Sequence, residues 1–111
     1  ISPRYGNWGG LDWSGGTQVR AGEIGPDISP VDQMDAYFKI HDISGYIGYH
    51  FPKPDLADRY VNKSNIQLYR DLQGLPSDPK LWNPPAKNVF RANVYRTMAE
   101  LYLLFAIEDE E

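Results

Sequence analysis

The sequence predicts a single, mainly α-helical domain that follows a glycine-rich loop. Three segments carry apolar residues three or four positions apart, the spacing that places side chains on one face of a helix. Proline and glycine clusters separate these segments. A chain of 111 residues, 41% hydrophobic and 14% aromatic, can build one packed core but not two. We therefore treat residues 1–111 as one domain, and since the chain starts at Ile1 we expect it to be cut from a larger protein.

The chain before residue 29 reads as an irregular loop, because glycines recur and no helical or alternating period persists. A short hairpin within 11–24 is the only regular structure expected there. The first helix is predicted to begin with Ser29 as N-cap and Pro30 at the first helical position. Gly45 and Gly48 are predicted to end this helix.

Two further helices follow. The second is predicted from about 55 to 72, after the prolines at 52 and 54, and its apolar stripe is formed by Ala57, Val61, Leu68 and Leu72. The third is predicted from about 88 to 107, where helical spacing links Phe90, Val94, Met98, Leu101, Tyr102 and Phe105.

Charge and composition exclude several classes of protein. A net charge of -4 argues against a nucleic-acid partner, which needs a basic face. The absence of cysteine excludes a disulfide framework and a thiolate zinc site. Most basic residues lie between Lys53 and Arg96, which leaves room for a positive surface facing anionic lipid, whereas Glu108–Glu111 form a solvated tail.

An adjacent histidine and aspartate stand near the end of the first helix. His41 suits proton abstraction, and Asp42 suits a divalent cation. Asp35, two turns earlier, is expected to point to the same side as Asp42. The glycines of Tyr5–Gly10 allow a loop to turn several carbonyls toward one ion. Together these residues predict calcium-assisted hydrolysis of a lipid ester.

Two segments resemble the secreted phospholipase A2 family. Pro30–Asp42 (PVDQMDAYFKIHD) is similar to its active-site helix, Pro-x-Asp-x-x-Asp-x-Cys-Cys-x-x-His-Asp, and Tyr5–Gly10 (YGNWGG) resembles its calcium loop, Tyr-Gly-x-aromatic-Cys-Gly. Tyr37, Phe38 and Gly9 replace the family cysteines, as in compact, disulfide-free variants from parvoviral capsid proteins and bacterial toxins. The resemblance implies a calcium loop, two antiparallel active-site helices and a third C-terminal helix.

The resemblance also assigns roles to individual residues. Trp8 and Gly10 would offer backbone carbonyls to calcium, and Asp42 its carboxylate. An insertion after Gly10 blurs the end of the loop, and Asp12 is our choice for a third loop ligand. His41 would be the general base that draws a proton from water. Calcium would polarise the ester carbonyl, and the Gly10 N–H could help to bind the oxyanion.

A base of this type needs an orienting carboxylate on its other ring nitrogen. In the family an aspartate of the second long helix supplies it. We choose Asp58, in the first turn of that helix; Asp55 is the rival, although it is better placed to cap the helix. Tyr46 is a candidate to hydrogen-bond Asp58, although a packing role is equally compatible with the sequence.

The function expected from the resemblance is a calcium-dependent phospholipase A2 that cleaves the sn-2 acyl ester of glycerophospholipids. We expect a membrane-damaging toxin or effector domain, made in the cytoplasm and then secreted or delivered to a target cell. Its partners would be a phospholipid surface and a cognate inhibitor protein. The alternative is a catalytically silent module that binds a membrane or a partner. A phosphohydrolase metal pair is disfavoured, because the chain has only His41 and His50.

Overall fold

Three helices dominate the computed structural model, which describes residues 3–109. Helices hold 55% of the residues, so the mainly α class is confirmed. A two-stranded antiparallel hairpin lies within 11–24, as predicted, with Trp13 opposite Gln18 and Ser14 opposite Thr17. The elements in chain order are β1 (Trp13–Ser14), β2 (Thr17–Gln18), α1 (Gln33–Tyr49), α2 (Pro54–Gly74), a 3-10 helix (Pro79–Leu81) and α3 (Val89–Ala106).

The first helix begins later than its sequence predicts. Asp32 is the N-cap, and its side chain accepts a 2.8 Å hydrogen bond from the backbone N–H of Asp35. The prediction of Ser29 as N-cap is therefore wrong. Asp32 also accepts a hydrogen bond from the hydroxyl of Tyr5, so a tertiary contact favours the later start.

The same helix continues through the two glycines that were predicted to end it. It passes Gly45 and Gly48 and stops at Tyr49. A Cβ on Gly48 would lie 2.9 Å from Val61 Cγ2, which shows that Gly48 allows a close approach of α1 and α2. Gly48 is therefore a packing glycine, and since the helix ends one residue beyond it, the predicted end agrees to within one residue, whereas Gly45 lies inside the helix.

The second helix runs antiparallel to the first. Gly48 near the end of α1 lies against Val61, whereas His41, two turns earlier, contacts Asn65. The predicted bounds of α2 and α3 agree with the structure to within about two residues. Asn88 caps α3 by accepting a 3.0 Å hydrogen bond from the Arg91 N–H.

One hydrophobic core joins the loop and the three helices. The loop contributes Tyr5 and Trp8, while α3 contributes Ala92 and Leu103. The remaining buried members are Met34, Phe38, Leu68, Leu72, Leu75 and Trp82. Because α3 buries the face that carries Ala92 and Leu103, the apolar residues that predicted the helix face solvent instead.

The chain after α3 is attached to α2. The Asn62 side chain donates to the Glu108 carbonyl and accepts from the Glu108 N–H, both at 2.8 Å. Glu110 and Glu111 of the predicted acidic tail lie outside the described residues. Within residues 3–109, none of the helices has the length and apolar character that crossing a membrane requires.

Candidate active site

Asp35 anchors the glycine-rich loop to α1. Its buried carboxylate accepts backbone hydrogen bonds from Asn7 at 3.0 Å, Trp8 at 2.9 Å and Val31 at 2.9 Å. Burial raises the pKa of Asp35, and the three N–H donors oppose that rise. Since both oxygens are engaged, Asp35 shapes the loop rather than facing an ion beside Asp42.

The loop approaches Asp35 so closely that Gly6 is required. Gly6 has φ +55°, and a Cβ there would lie 2.5 Å from Asp35 Cγ. A second attachment lies one turn away, where the Tyr5 hydroxyl donates to the buried Asp32 carboxylate. Burial and this carboxylate raise the pKa of the Tyr5 hydroxyl, which therefore stays protonated.

The backbone of the loop leaves particular polar groups available. Tyr5 and Gly9 exchange hydrogen bonds of 2.7 and 2.8 Å, which closes the loop. Within the part of the chain described, the Trp8 carbonyl accepts from no donor and the Gly10 N–H reaches no acceptor. Among residues 3–109, the Gly10 carbonyl accepts a single long bond, 3.3 Å, from the Trp13 N–H. The free groups thus belong to the two residues that the resemblance names.

The imidazole of His41 is held by an amide from α2. His41 Nε2 lies 2.7 Å from Asn65 Oδ1. A carbonyl oxygen only accepts, so Nε2 carries the proton and Nδ1 holds the free lone pair. Burial lowers the pKa of His41, and the bond to Asn65 opposes that shift only partly. His41 is therefore a neutral base at pH 7.

The structure places Asn65 at the position where the sequence predicts Asp58. Asp58 is exposed on α2, seven residues before Asn65, which is about 10 Å along a helix. It lies level with Gly48 rather than with His41. Asp55 is also exposed, at the start of α2. Asn65 follows Asp58 by two turns on the same face, and this spacing could have identified it.

Tyr46 is also separate from the His41 ring. Its ring packs on His50 with centroids 4.5 Å apart, and its carbonyl lies 2.8 Å from His50 Nδ1. Its side chain is 38% exposed. The tyrosine near the site is instead Tyr95 of α3, which sequence reasoning missed.

Asp42 carries an uncompensated oxygen. Its Oδ2 is buried and, within residues 3–109, has no hydrogen-bond partner. Burial, followed by the negative charge of Asp35, raises the pKa of Asp42 to about 8. Burial and the Asp42 charge raise the pKa of Tyr95 to about 12. Burying an ionised carboxylate without a partner costs free energy, so Asp42 is stabilised by binding either a proton or a cation.

These donors fit a hard cation. Carboxylate and carbonyl oxygens are the ligands that calcium prefers, and both kinds remain available at Asp42, Trp8 and Gly10. Asp12 is exposed, and its carbonyl accepts a 2.9 Å bond from Val19. The described residues contain no cluster of three or more His, Cys, Asp or Glu, so a cation beside Asp42 would depend on main-chain oxygens.

Comparisons with known proteins add no relative. The chain matches no family model, no curated protein sequence and no solved structure. The chemistry of the site is therefore argued from its own geometry.

Proposed function

We propose that this chain is a calcium-dependent phospholipase A2 that hydrolyses the sn-2 acyl ester of glycerophospholipids. The observation that carries the proposal is the buried Oδ2 of Asp42, which has no hydrogen-bond partner among the described residues, in the residue that follows the neutral His41. A general base and an empty oxygen ligand thus occupy consecutive positions on one helix. Further support comes from the Trp8 and Gly10 groups, which have no strong internal partner. The phospholipase A2-like form of the fold, with a calcium loop packed on two antiparallel helices, is part of this proposal.

The chain's own residues account for the proton transfers. His41 Nδ1 takes a proton from water as the water oxygen bonds to the sn-2 carbonyl carbon. The same nitrogen returns the proton to the glycerol oxygen when the acyl carbon–oxygen bond breaks. One water is consumed, and a fatty acid and a lysophospholipid are released. Asn65 keeps the proton on Nε2, so that Nδ1 remains the basic atom.

Calcium would be held by the Asp42 carboxylate and by the carbonyls of Trp8 and Gly10. Bound there, it would supply Lewis-acid polarisation of the ester carbonyl and neutralise the oxyanion. The Gly10 N–H, which has no acceptor among the described residues, is a further donor for that oxyanion. Asp35 and Asp32 act at a distance by fixing the loop to α1.

Release of fatty acid tests the proposal. The purified chain is mixed with phospholipid vesicles labelled in the sn-2 acyl chain, at millimolar calcium and in EDTA. We expect release with calcium, none in EDTA, and a loss of at least about a thousandfold for His41→Ala. A matched control is His50→Ala, which changes the other histidine and should leave the rate unchanged. Absence of release by folded protein with calcium would reject the proposal.

A silent lipid-binding module is the second candidate. It is favoured by one observation, the neutral Asn65 at the ring where the family has a carboxylate. A neutral partner stabilises the imidazolium less than an aspartate does. Vesicle binding that persists in His41→Ala, together with no hydrolysis by the wild-type chain, would select this candidate.

The proposed place of action is outside the producing cell or at the membrane of a target cell. A site built from one carboxylate and main-chain carbonyls binds calcium weakly, so it fits compartments where calcium is plentiful. A toxin or effector role, with a cognate inhibitor over the cleft, is part of the same proposal. Co-purification, from the producing cell, of a small protein that abolishes hydrolysis would support the proposed inhibitor.

A further inference from the structure

The outward face of α3 is apolar along almost its whole length. We call the α3 stripe the set Phe90, Val94, Met98, Leu101 and Phe105. These residues recur every three or four positions, so they stack on one face of the helix. Phe90 is 79% exposed, Phe105 is 89% exposed and Leu101 is 54% exposed. The stripe extends about 22 Å, from one end of α3 to the other.

Among the described residues, those beside the α3 stripe are uncharged along most of its length, and the cation Arg91 lies at its edge near Phe90. Asn93, Thr97 and Leu104 flank it on one side, and Tyr102 flanks it on the other. The exposed apolar area is on the order of 500 Å², near the upper end for a patch on a soluble monomer. Such a patch marks an interaction surface.

The α3 stripe adjoins the candidate active site. Arg91, beside Phe90, donates a hydrogen bond to the Arg4 carbonyl at the start of the loop. Tyr95, beside Val94, packs on Tyr5 with ring centroids 5.3 Å apart. The same helix therefore presents one side to the loop and Asp42 region and an adjacent side to solvent.

Charge at the two ends of the α3 stripe is asymmetric. Arg4, Lys87 and Arg91 are exposed cations at the end near the loop. At the other end, the backbone of Glu108 is bound to Asn62 of α2. Because α2 packs on the buried side of α3, this attachment places the Glu108 backbone away from the α3 stripe.

We propose that the α3 stripe is the surface that inserts into an anionic phospholipid bilayer, with Arg4, Lys87 and Arg91 against the headgroup phosphates. The inference rests on the proposed function and names the surface that presents lipid to its site. A helix of this type lies in the membrane plane with its apolar face about 5–10 Å deep. Cations at its edge add attraction to anionic lipid. This orientation brings the loop, which Arg91 and Tyr95 contact, to the bilayer surface, where the ester lies.

The test measures binding separately from hydrolysis. Partitioning of the full chain to phosphatidylglycerol and phosphatidylcholine vesicles is measured in EDTA, where hydrolysis is prevented. Hydrolysis of a short-chain phosphatidylcholine, monomeric in solution, is measured with calcium. The variant is Phe90→Gln/Phe105→Gln, and the matched control is Ile47→Gln/Leu56→Gln, two exposed apolar residues on α1 and α2. Circular dichroism and thermal unfolding verify that both variants fold.

We expect wild type to prefer phosphatidylglycerol vesicles and the Phe90→Gln/Phe105→Gln variant to partition at least about tenfold more weakly. The control variant should bind like wild type, and both should hydrolyse the monomeric substrate at the wild-type rate. Equal vesicle binding by wild type and the Phe90→Gln/Phe105→Gln variant would overturn the inference while leaving the proposed function intact. If no sample hydrolyses the substrate but vesicle binding still depends on the α3 stripe, the proposed enzymatic function is rejected and the α3 stripe is supported as the membrane-binding surface.

Sedimentation velocity separates the lipid surface from a protein interface. We expect wild type and the Phe90→Gln/Phe105→Gln variant to be monomers without vesicles. A wild-type dimer that the variant converts to monomer, together with no vesicle binding, would overturn the inference and assign the α3 stripe to a second copy of the chain.

Discussion

His41 and Asn65 join the two long helices through one short contact, 2.7 Å between Nε2 and Oδ1. The partner of the ring is an amide, which orients the imidazole and selects its tautomer without adding a negative charge. The electrostatic contribution of a carboxylate is therefore absent from this position.

Asn65→Asp is expected to raise the pKa of His41. Burial holds that pKa below its usual value, so His41 is neutral over a wide range and the rate should rise as pH increases through this low pKa. A carboxylate at 65 favours the imidazolium and should move the acidic limb of the pH–rate profile upward by about 1–2 pH units. The measurement is kcat/KM for lipid hydrolysis between pH 4 and 9.

The control for this prediction is Asp58→Asn. Its carboxylate is exposed two turns from Asn65, so the pH profile should not change. The assignment of Asn65 would be contradicted if Asp58→Asn lost most of the activity while Asn65→Ala kept the wild-type rate.

Asp35→Asn should disrupt the loop. The carboxylate faces three N–H donors, from Asn7, Trp8 and Val31, and an amide would turn an NH2 group toward at least one of them. We expect the free energy of unfolding to fall by about 2–4 kcal/mol, with calcium affinity lost. Urea unfolding and calorimetric titration measure the two effects.

Asp27→Asn is the matched carboxylate change for the loop prediction. Asp27 is exposed, and within the described part of the chain its ion pair is with Lys39, so its loss should cost less than about 1 kcal/mol. Equal effects of the two substitutions would show that the N–H contacts of Asp35 contribute little.

Asp42 links stability, pH and calcium. Its pKa is about 8 in the folded chain and about 3.9 when unfolded, so the folded state binds the proton more tightly. Without calcium, the contribution of Asp42 to the free energy of unfolding should fall as pH rises from about 4 to 8. Calcium affinity should increase about tenfold per pH unit up to pH 8 and then level off, because the ion binds the ionised carboxylate.

Thermal unfolding at pH 5 and pH 8, with calcium and with EDTA, measures this linkage. Asp42→Asn should abolish stabilisation by calcium and be more stable than wild type by about 1–3 kcal/mol in EDTA at pH 8. Asp109→Asn, an exposed carboxylate, serves as control and should behave like wild type. Undiminished calcium stabilisation in Asp42→Asn would place the ion elsewhere.

Gly48→Ala and Gly45→Ala should act in opposite directions. A Cβ at 48 would meet Val61 Cγ2 at 2.9 Å, whereas a Cβ at 45 would meet nothing within 4 Å. Val61 is stiff at χ1, so Gly48→Ala should force α1 from α2 and cost about 1–2 kcal/mol. Gly45→Ala should stabilise by about 0.5–1 kcal/mol through helix propensity. Chemical denaturation measures the free energy of unfolding of both variants. If both substitutions were stabilising, the helices would not be in close contact at Gly48.

Sequence patterns predicted the bounds of the helices better than they predicted the contacts between helices. The periods of α2 and α3 gave bounds close to those observed, because helical spacing is a local property of the chain. The first cap was misplaced from Asp32 to Ser29, since the choice between two local caps depended on the distant hydroxyl of Tyr5. The packing role of Gly48 was missed because its neighbour on α2, Val61, lies 13 residues away.

Residue type and local spacing were enough to establish the helical class, the His41–Asp42 pair and the loop glycines. Which groups contact one another depends on the packing of the folded chain. The register of α1 against α2 places the His41 ring in contact with Asn65 and leaves Asp58 exposed to solvent. Similarly, α3 buries Ala92 and Leu103 and exposes Phe90, because its other face packs on the core. Such pairings depend on how the helices pack together, which a periodic pattern does not encode.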